Sequence, residues 1–182
     1  AHIFYNQIMK FMRVVALVLA LFVAGTLSAA CTIKRSSPLY KQCDGKWGSN
    51  GLGSSSTICK VGCLMSSVAM GMAGAGKTIN GQTATPQTLN SYLKGHGGYQ
   101  GNLFVWGAVE KFGLKYEGQT SNKSTIRSNI CANKVVILNV KNGGHWVLAT
   151  GFDGETFKVN DPGATRYTYP SGEVVRAAAY RL

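Results

Sequence analysis

The sequence predicts an α+β fold in which helices occupy the first half of the chain and an antiparallel sheet occupies the last third. Apolar residues in the region 63–112 recur at helical spacing. From Val135 onward, short apolar and β-branched runs are separated by turn residues, which is typical of strands. Helices followed by strands, without alternation, indicate an α+β arrangement. The 182 residues are 45% hydrophobic and 14% charged, which is sufficient for one domain with its own core.

The start of the chain reads as upstream residues and a signal peptide (residues 1–30), followed by the folded domain (residues 31–182). Lys10 and Arg13 precede an apolar run, and Ser28-Ala29-Ala30 would suit a signal peptidase. The apolar run is shorter than the roughly 18–20 residues needed to cross a bilayer, which disfavours a membrane anchor. We therefore expect a protein that is secreted, either extracellular or in a lumenal compartment of the secretory pathway.

Two alternatives concern the same segment. A lipoprotein acylated at Cys31 is disfavoured, because Leu27 lies one position too far from that cysteine. Translation could also begin at Met9 or Met12, in which case the first residues are upstream sequence.

The charge of the domain restricts its partners. Without Lys10 and Arg13, 17 basic and 7 acidic residues remain, a formal charge of +10. A positive surface favours anionic partners such as cell walls, acidic peptides or membrane surfaces. The basic residues are scattered and accompany no nucleic-acid-binding motif, so we expect no nucleic-acid partner. We also expect a monomer with no cofactor and no stable membrane insertion once the signal peptide is removed.

Four helices are predicted. The first begins at Cys63 and is apolar or small nearly all round, so it should be buried until glycines end it at Gly74. The second begins with Thr85 as N-cap and Pro86 at the first helical position. The third and fourth are predicted over residues 102–112 and 124–133.

Five strand-like segments follow, and turn residues separate most of them. Asn142-Gly143-Gly144, Asp153-Gly154 and Asp161-Pro162-Gly163 predict turns between strands. The predicted strands cover residues 135–140, 146–152, 156–160, 167–169 and 174–180. A buried helix packed on this sheet would bring Cys63 and His145 face to face.

All five cysteines lie in the predicted domain: Cys31, Cys43, Cys59, Cys63 and Cys131. Outside the cell four would pair, and the fifth would be either a partner for another molecule or a working thiol. Zinc binding is a weaker alternative, because the Cys59-x3-Cys63 spacing has no second Cys/His pair at a suitable distance. We expect no metal.

Cys63 is a candidate nucleophile. It follows Gly62 and begins the predicted buried helix, where the helix dipole and unpaired N–H groups favour the thiolate. The same local features fit a structural half-cystine equally well. Only His96 and His145 are available as bases, and His145 is the better placed, at a strand start after a glycine turn.

Two further groups could complete a catalytic site. Asp161 lies 16 residues after His145, and the hairpin between them would return it alongside His145 to orient the imidazole. The Asn-Asp-Pro-Gly segment is also an ordinary turn. The backbone N–H of Cys63 and a side-chain amide, with Gln42 as candidate, could bind an oxyanion.

Three segments resemble the motifs of one family. Residues 40–48 resemble the Y-x-Q-x-D-x-x-W-G opening of peptidase C39-like domains, a branch of the papain-like cysteine peptidases. Residues 62–70 resemble their G-C-G-P-T-S-x-A-M motif. Residues 144–152, followed by Asn160-Asp161-Pro162, resemble their G-H-W-V-x-x-x-G-[YF] and N-D-P motifs. The three occur in the family's order over nearly all of residues 38–182.

The resemblance implies a papain-like fold and a role for each matching residue. Cys63 would be the nucleophile, His145 the base, Asp161 the residue that orients it, and Gln42 the oxyanion donor. The chain departs from the family at Leu64-Met65-Ser66, where many members have Gly-Pro-Thr, which could reshape the pocket wall. It also has additional cysteines. Of the three connectivities open to them, one pairs Cys43 with Cys59 and Cys31 with Cys131.

The function expected from this resemblance is that of a secreted cysteine hydrolase, an endopeptidase acting on peptide or protein substrates through a Cys-His-Asp triad and an acyl-enzyme. Founding members of the family process leader peptides and are fused to a transporter, a role that does not suit this chain. Two alternatives are a cell-wall peptidoglycan amidase-like hydrolase and a catalytically silent binding protein with the same fold.

Overall fold

The structure, a computed structural model, describes residues 30–182. Apart from Ala30, the predicted signal peptide lies outside the described residues. Within residues 30–182 no helix is both long enough and apolar enough to cross a membrane.

The first half of this region contains three helices, three small hairpins and a 3₁₀ helix. The elements in chain order are β1 (Ala30–Thr32), β2 (Gly51–Leu52), β3 (Ser56–Thr57), α1 (Ile58–Val61), α2 (Cys63–Gly74), β4 (Thr78–Ile79), β5 (Gln82–Thr83), α3 (Pro86–Gly95), β6 (Tyr99–Gln100), β7 (Leu103–Phe104) and the 3₁₀ helix Trp106–Phe112.

The second half contains one helix and the strands of the main sheet. In chain order these elements are β8 (Lys115–Thr120), α4 (Lys123–Cys131), β9 (Val135–Val140), β10 (His145–Asp153), β11 (Thr156–Asn160), β12 (Thr168–Pro170), the 3₁₀ turn Ser171–Glu173 and β13 (Arg176–Arg181).

The main sheet is antiparallel, with the strand order β12-β11-β10-β9-β13-β8. β1 pairs with the far end of β10, beyond the part that pairs with β9. Helices followed by an antiparallel sheet confirm the predicted α+β class.

Helices cover both faces of the sheet. Val135 and Ile137 on β9 belong to one apolar core, together with α2 and α3. Val136 and Leu138 belong to the other core, which includes Ile126 of α4. Every residue of β9 is therefore buried, which explains why this strand is a continuous apolar run.

Helix α2 packs closely against the sheet, as its apolar and small residues predict. A Cβ on Gly71 would lie 2.4 Å from a methyl of Val135, so only glycine permits this approach. Helix α3 begins as predicted, with Thr85 and Thr88 forming a capping box and Pro86 at the first position.

The largest differences between the structure and the sequence prediction lie in two regions. The helix predicted over residues 102–112 is wrong at its start, because Leu103 and Phe104 pair with β6 and only the 3₁₀ helix Trp106–Phe112 follows. The second region is strand β8, which the sequence did not predict. Its side chains alternate only between exposed and half-buried positions, so it lacks the apolar alternation that indicates a strand.

Two disulfides join segments that are far apart in sequence. Cys31 of β1 is bonded to Cys131 at the end of α4, and Cys43 is bonded to Cys59 in α1. Cys63 is the free cysteine among the five. The zinc alternative is disfavoured, because Cys59 is already bonded.

The Cys31–Cys131 disulfide gives a stability prediction. It spans 100 residues, so its removal releases a large loop in the unfolded chain. We expect Cys31→Ala/Cys131→Ala to lower the free energy of unfolding by about 2–5 kcal/mol, measured by urea denaturation. An unchanged denaturation midpoint would contradict this stabilisation.

Candidate active site

Cys63 is the first residue of α2, and Gly62 separates this helix from α1. The N–H of Gly62 donates to the Ile58 carbonyl at 2.8 Å, and the Gly62 carbonyl accepts from the N–H of Ser66 at 2.8 Å. A Cβ on Gly62 would lie 2.4 Å from the Ile58 carbonyl oxygen, so the junction requires glycine. The half-buried thiol of Cys63 therefore lies at a helix N-terminus, where the backbone N–H groups of the first turn have no partner within the helix.

His145 is the first residue of β10 and is only 8% exposed. The preceding turn places Lys141, Asn142 and Gly143 at positive φ, a conformation that Asn and Gly adopt most readily. The turn thus reverses the chain tightly between β9 and β10 and determines the position of the His145 imidazole.

Two buried polar side chains hold the backbone around His145. The Asn139 amide donates to the carbonyls of Gly143 (2.9 Å) and His145 (3.1 Å). The Ser67 hydroxyl of α2 donates to the carbonyl of Trp146 at 3.1 Å. The sequence prediction missed both residues. The available signal was a polar residue inside an otherwise apolar strand or helix. Such a residue needs a hydrogen-bond partner when it is buried.

The Asp161 carboxylate is buried and accepts four hydrogen bonds. His145 Nε2 lies 2.7 Å from Oδ1, which also accepts the N–H groups of Gly163 (2.8 Å) and Ala164 (2.9 Å). The Tyr169 hydroxyl donates to Oδ2 at 2.7 Å. Burial alone would raise the pKa of Asp161, but the bonds from His145, Tyr169 and Gly163 outweigh it and lower the pKa to about 2.

The hydrogen bond between His145 and Asp161 also shifts the pKa of His145. Burial alone would lower the pKa of the imidazole, but hydrogen bonds to Asp161 and Cys63, together with their charges, raise it to about 9. A pKa of about 9 favours the protonated ring at neutral pH. Since Nε2 binds Asp161, Nδ1 is the ring nitrogen left to exchange a proton with Cys63.

Gln42 is buried between the disulfide and the loop that follows β11. Its backbone N–H donates to the Pro162 carbonyl at 2.9 Å, and its Nε2 donates to the Cys59 carbonyl at 2.6 Å. An amide nitrogen carries two protons, so a second donor remains. The Cys43–Cys59 disulfide links the residue after Gln42 to the residue whose carbonyl Gln42 binds, and so fixes this geometry.

Gly163 is a further site residue that the sequence prediction treated only as part of a turn. A Cβ there would lie 2.8 Å from Cε1 of His145 and 3.2 Å from Oε1 of Gln42. Lys41 also joins the two loops, because its ammonium donates to the Asp161 carbonyl at 2.7 Å and to the Ala164 carbonyl. The structure thus brings His145, Asp161 and Gln42 together around the Asp161 loop, and Cys63 shares a cavity wall with Gly144 and Trp146, the neighbours of His145.

Residues 35–181 match the Peptidase_C39 like family. The chain belongs to this family. Family membership supports a peptidase of the cysteine type on a papain-like fold. No match was found among the curated proteins.

Two solved structures share the fold. One is a Bacillus anthracis protein described as a C39-like peptidase, with 16% identity and a TM-score of 0.53 over 83% of this chain and 97% of that chain. The other is a double glycine motif protease from an AMS/PCAT transporter in complex with the leader peptide, with 17% identity and a TM-score of 0.52 over 83% of this chain and 96% of that chain.

The hydrogen bond from Tyr169 to Asp161 gives a prediction with a matched control. Tyr169→Phe removes one donor to a buried carboxylate, which should lower the free energy of unfolding by about 2 kcal/mol. The depressed pKa of Asp161 stabilises the fold above pH about 4, and this stability is lost as pH falls through about 2. Loss of the hydroxyl raises that pKa, so acid unfolding should begin at higher pH.

Tyr167→Phe is the control, because Tyr167 is 64% exposed and its hydroxyl is not bonded to Asp161. Both variants should be followed by urea denaturation at neutral pH and by acid titration. Equal acid-unfolding midpoints for Tyr169→Phe and Tyr167→Phe would contradict the stabilisation of Asp161 by Tyr169.

Proposed function

We propose that the protein is a secreted cysteine peptidase that hydrolyses amide bonds with Cys63 as nucleophile, His145 as proton carrier, Asp161 as the residue that positions His145, and Gln42 as an oxyanion donor. One observation carries this proposal. A free thiol at the start of α2 lines a cavity together with Gly144 and Trp146, the two neighbours of His145, and the His145 imidazole is bonded to a buried carboxylate. A structural half-cystine would require no such partner.

The chemistry follows from the protonation of this pair. The Cys63 thiolate attacks the carbonyl carbon of the substrate, and the carbonyl oxygen becomes an oxyanion. Two donors are available for it, the backbone N–H of Cys63 and the second proton on Gln42 Nε2. The C–N bond then breaks, and His145 gives its proton to the departing amine, which leaves an acyl-enzyme on Cys63.

The second half of the reaction restores the enzyme. Neutral His145 removes a proton from a water molecule, which attacks the thioester carbon. The bond to Cys63 breaks, and the carboxylic acid product leaves. Asp161 stays ionised in both halves, because four donors stabilise its charge, and it keeps the imidazole in one orientation.

A peptide substrate and an oxidising compartment both have support. The double glycine motif protease that shares this fold is in complex with a leader peptide, which supports a peptide as the substrate here. Two disulfides favour an oxidising compartment, in agreement with the predicted signal peptide.

A cell-wall amide is the second candidate substrate. Its support is the formal charge of +10 on residues 31–182, which suits an anionic polymer. The third hypothesis is a catalytically silent binding protein with the same fold, which would cleave no substrate. The three hypotheses predict different activities that require Cys63: cleavage of peptides, cleavage of cell wall, or no cleavage.

The test compares the wild type with Cys63→Ala on a peptide library and on purified cell wall. We expect peptide cleavage by the wild type and, in Cys63→Ala, activity reduced by at least about 10³-fold. Cleavage of cell wall alone would replace the peptidase by an amidase-like hydrolase. Equal traces for both proteins on both substrates would contradict an enzyme.

Alkylation provides an independent readout within the same test. A brief iodoacetamide pulse at low pH should label Cys63 alone, because the thiolate is the form that reacts. His145→Ala should abolish this labelling, while the matched variant His96→Ala should keep it, since His96 instead stacks on Tyr92 at 4.1 Å. Labelling of Cys59, or equal labelling of both histidine variants, would contradict the assignment.

A further inference from the structure

An apolar cavity of about 320 Å³ lies directly beside Cys63. Cys63 lines it, as do Gly144 and Trp146, the two neighbours of His145 in sequence. Its remaining wall is largely apolar and includes Leu103 and Phe104 of strand β7. A group held in this cavity is therefore adjacent to the reacting sulfur.

A second cavity of about 430 Å³ continues from the first. The two share Leu64, Leu103, Phe104 and Trp146, so they form two compartments of one groove, which we call the Leu103 cleft. Leu103 is 73% exposed, the largest exposure of any large hydrophobic residue among residues 30–182. An apolar side chain this exposed, in a groove that reaches the nucleophile, indicates a surface that a ligand covers.

The hairpin that carries Leu103 is firmly attached. Asn102 accepts hydrogen bonds from the N–H groups of Ser54 (3.1 Å) and Ser55 (3.3 Å). The Tyr99 hydroxyl donates to Asn90 at 2.8 Å, and Asn90 in turn donates to the Gly51 carbonyl at 3.0 Å. These hydrogen bonds therefore hold the hairpin in a position that leaves Leu103 exposed.

Each compartment of the cleft has one cationic side chain in its wall. Lys60 lines the first compartment, and Arg176 lines the second, with its guanidinium 5.7 Å from the ring centre of Trp146. Within the described region neither cation forms a salt bridge, and no carboxylate lines either compartment. Acidic groups on a bound chain would be attracted here, and basic groups would be repelled.

We propose that the substrate is a peptide with an aliphatic side chain, of the size of leucine, beside the scissile bond, and with acidic rather than basic residues flanking it. The aliphatic side chain packs in the compartment of the Leu103 cleft next to Cys63, and the acidic residues face Lys60 and Arg176. This inference rests on the proposed peptidase function. A glycine in place of the aliphatic residue leaves the apolar wall in contact with water.

The experiment uses fluorogenic peptides that differ only at the positions around the cleavage site. A positional library of Leu, Gly, Glu and Lys first locates the cleaved bond by mass spectrometry. Matched Leu and Gly peptides are then compared by kcat/KM with the wild-type protein. We expect the Leu peptide to be preferred by about tenfold or more. Cys63-dependent cleavage at equal rates for Leu and Gly would overturn the inference while leaving the peptidase function intact.

Variants test the cleft itself. Leu103→Asp should lower kcat/KM for the Leu peptide by about tenfold, because it places a charge on the apolar wall. Leu182→Asp, a change of the same chemistry at a leucine that is 46% exposed and does not line the cleft, should keep the wild-type value. Equal effects of the two variants would contradict the role of Leu103, and thermal unfolding of both excludes a folding defect.

The charge requirement has its own test. Lys60→Glu/Arg176→Glu alters two exposed side chains and should reverse the preference between peptides with Glu and with Lys flanks. An unchanged preference would refute that part of the inference. Absence of Cys63-dependent cleavage for every peptide would instead overturn the proposed function, and the substrate class with it.

Discussion

The buried pair of His145 and Asp161 is the interaction on which the rest of the site depends. The imidazole and the carboxylate lie 2.7 Å apart and are almost inaccessible to water, and each shifts the pKa of the other towards its charged form. Such a pair is favourable only when the remaining lone pairs are also satisfied, and here two backbone N–H groups and the Tyr169 hydroxyl do so. The loop after β11 is therefore folded around its own carboxylate, and it fixes the charge of the imidazole that faces Cys63.

This loop also organises the other half of the site. Lys41 and Gln42 bind its backbone through a side-chain ammonium and a main-chain N–H, so the segment before Cys43 lies against the segment after β11. Gln42 then reaches the Cys59 carbonyl, and the Cys43–Cys59 disulfide holds that distance. Two segments about 120 residues apart in sequence are thereby held together at the site.

The sequence predicted the α+β class from its helical and strand-like patterns. It also offered Cys63, His145 and Asp161 as candidate site residues, on local features that alone fit structural roles as well. Cys63 follows a helix-starting glycine, His145 follows a glycine turn, and Asp161 ends the strand paired with that of His145. Their resemblance to one family's ordered motifs added the role of Gln42. Family membership and the fold are confirmed, while the roles of the individual residues remain our proposal.

The remaining features depend on tertiary contacts and leave little trace in the sequence. Residues 102–112 carry apolar residues at helical spacing, but Leu103 and Phe104 pair with β6, and Asn102 is bonded to Ser54 and Ser55, which lie in a different hairpin. Strand β8 is polar because it forms the sheet edge, with only β13 as neighbour. Asn139, Ser67 and Gly163 matter because of what they touch across the fold.

The most direct measurement is the titration of the His145 imidazole by NMR in the full-length protein with labelled histidine. Its signals can be assigned by comparison with His145→Gln. We predict that His145 stays protonated through neutral pH and titrates at a pKa of about 9, with its Nε2 proton hydrogen-bonded to Asp161. A His145 pKa at or below the ordinary value of about 6.5 would contradict the charge-stabilised pair on which the site depends.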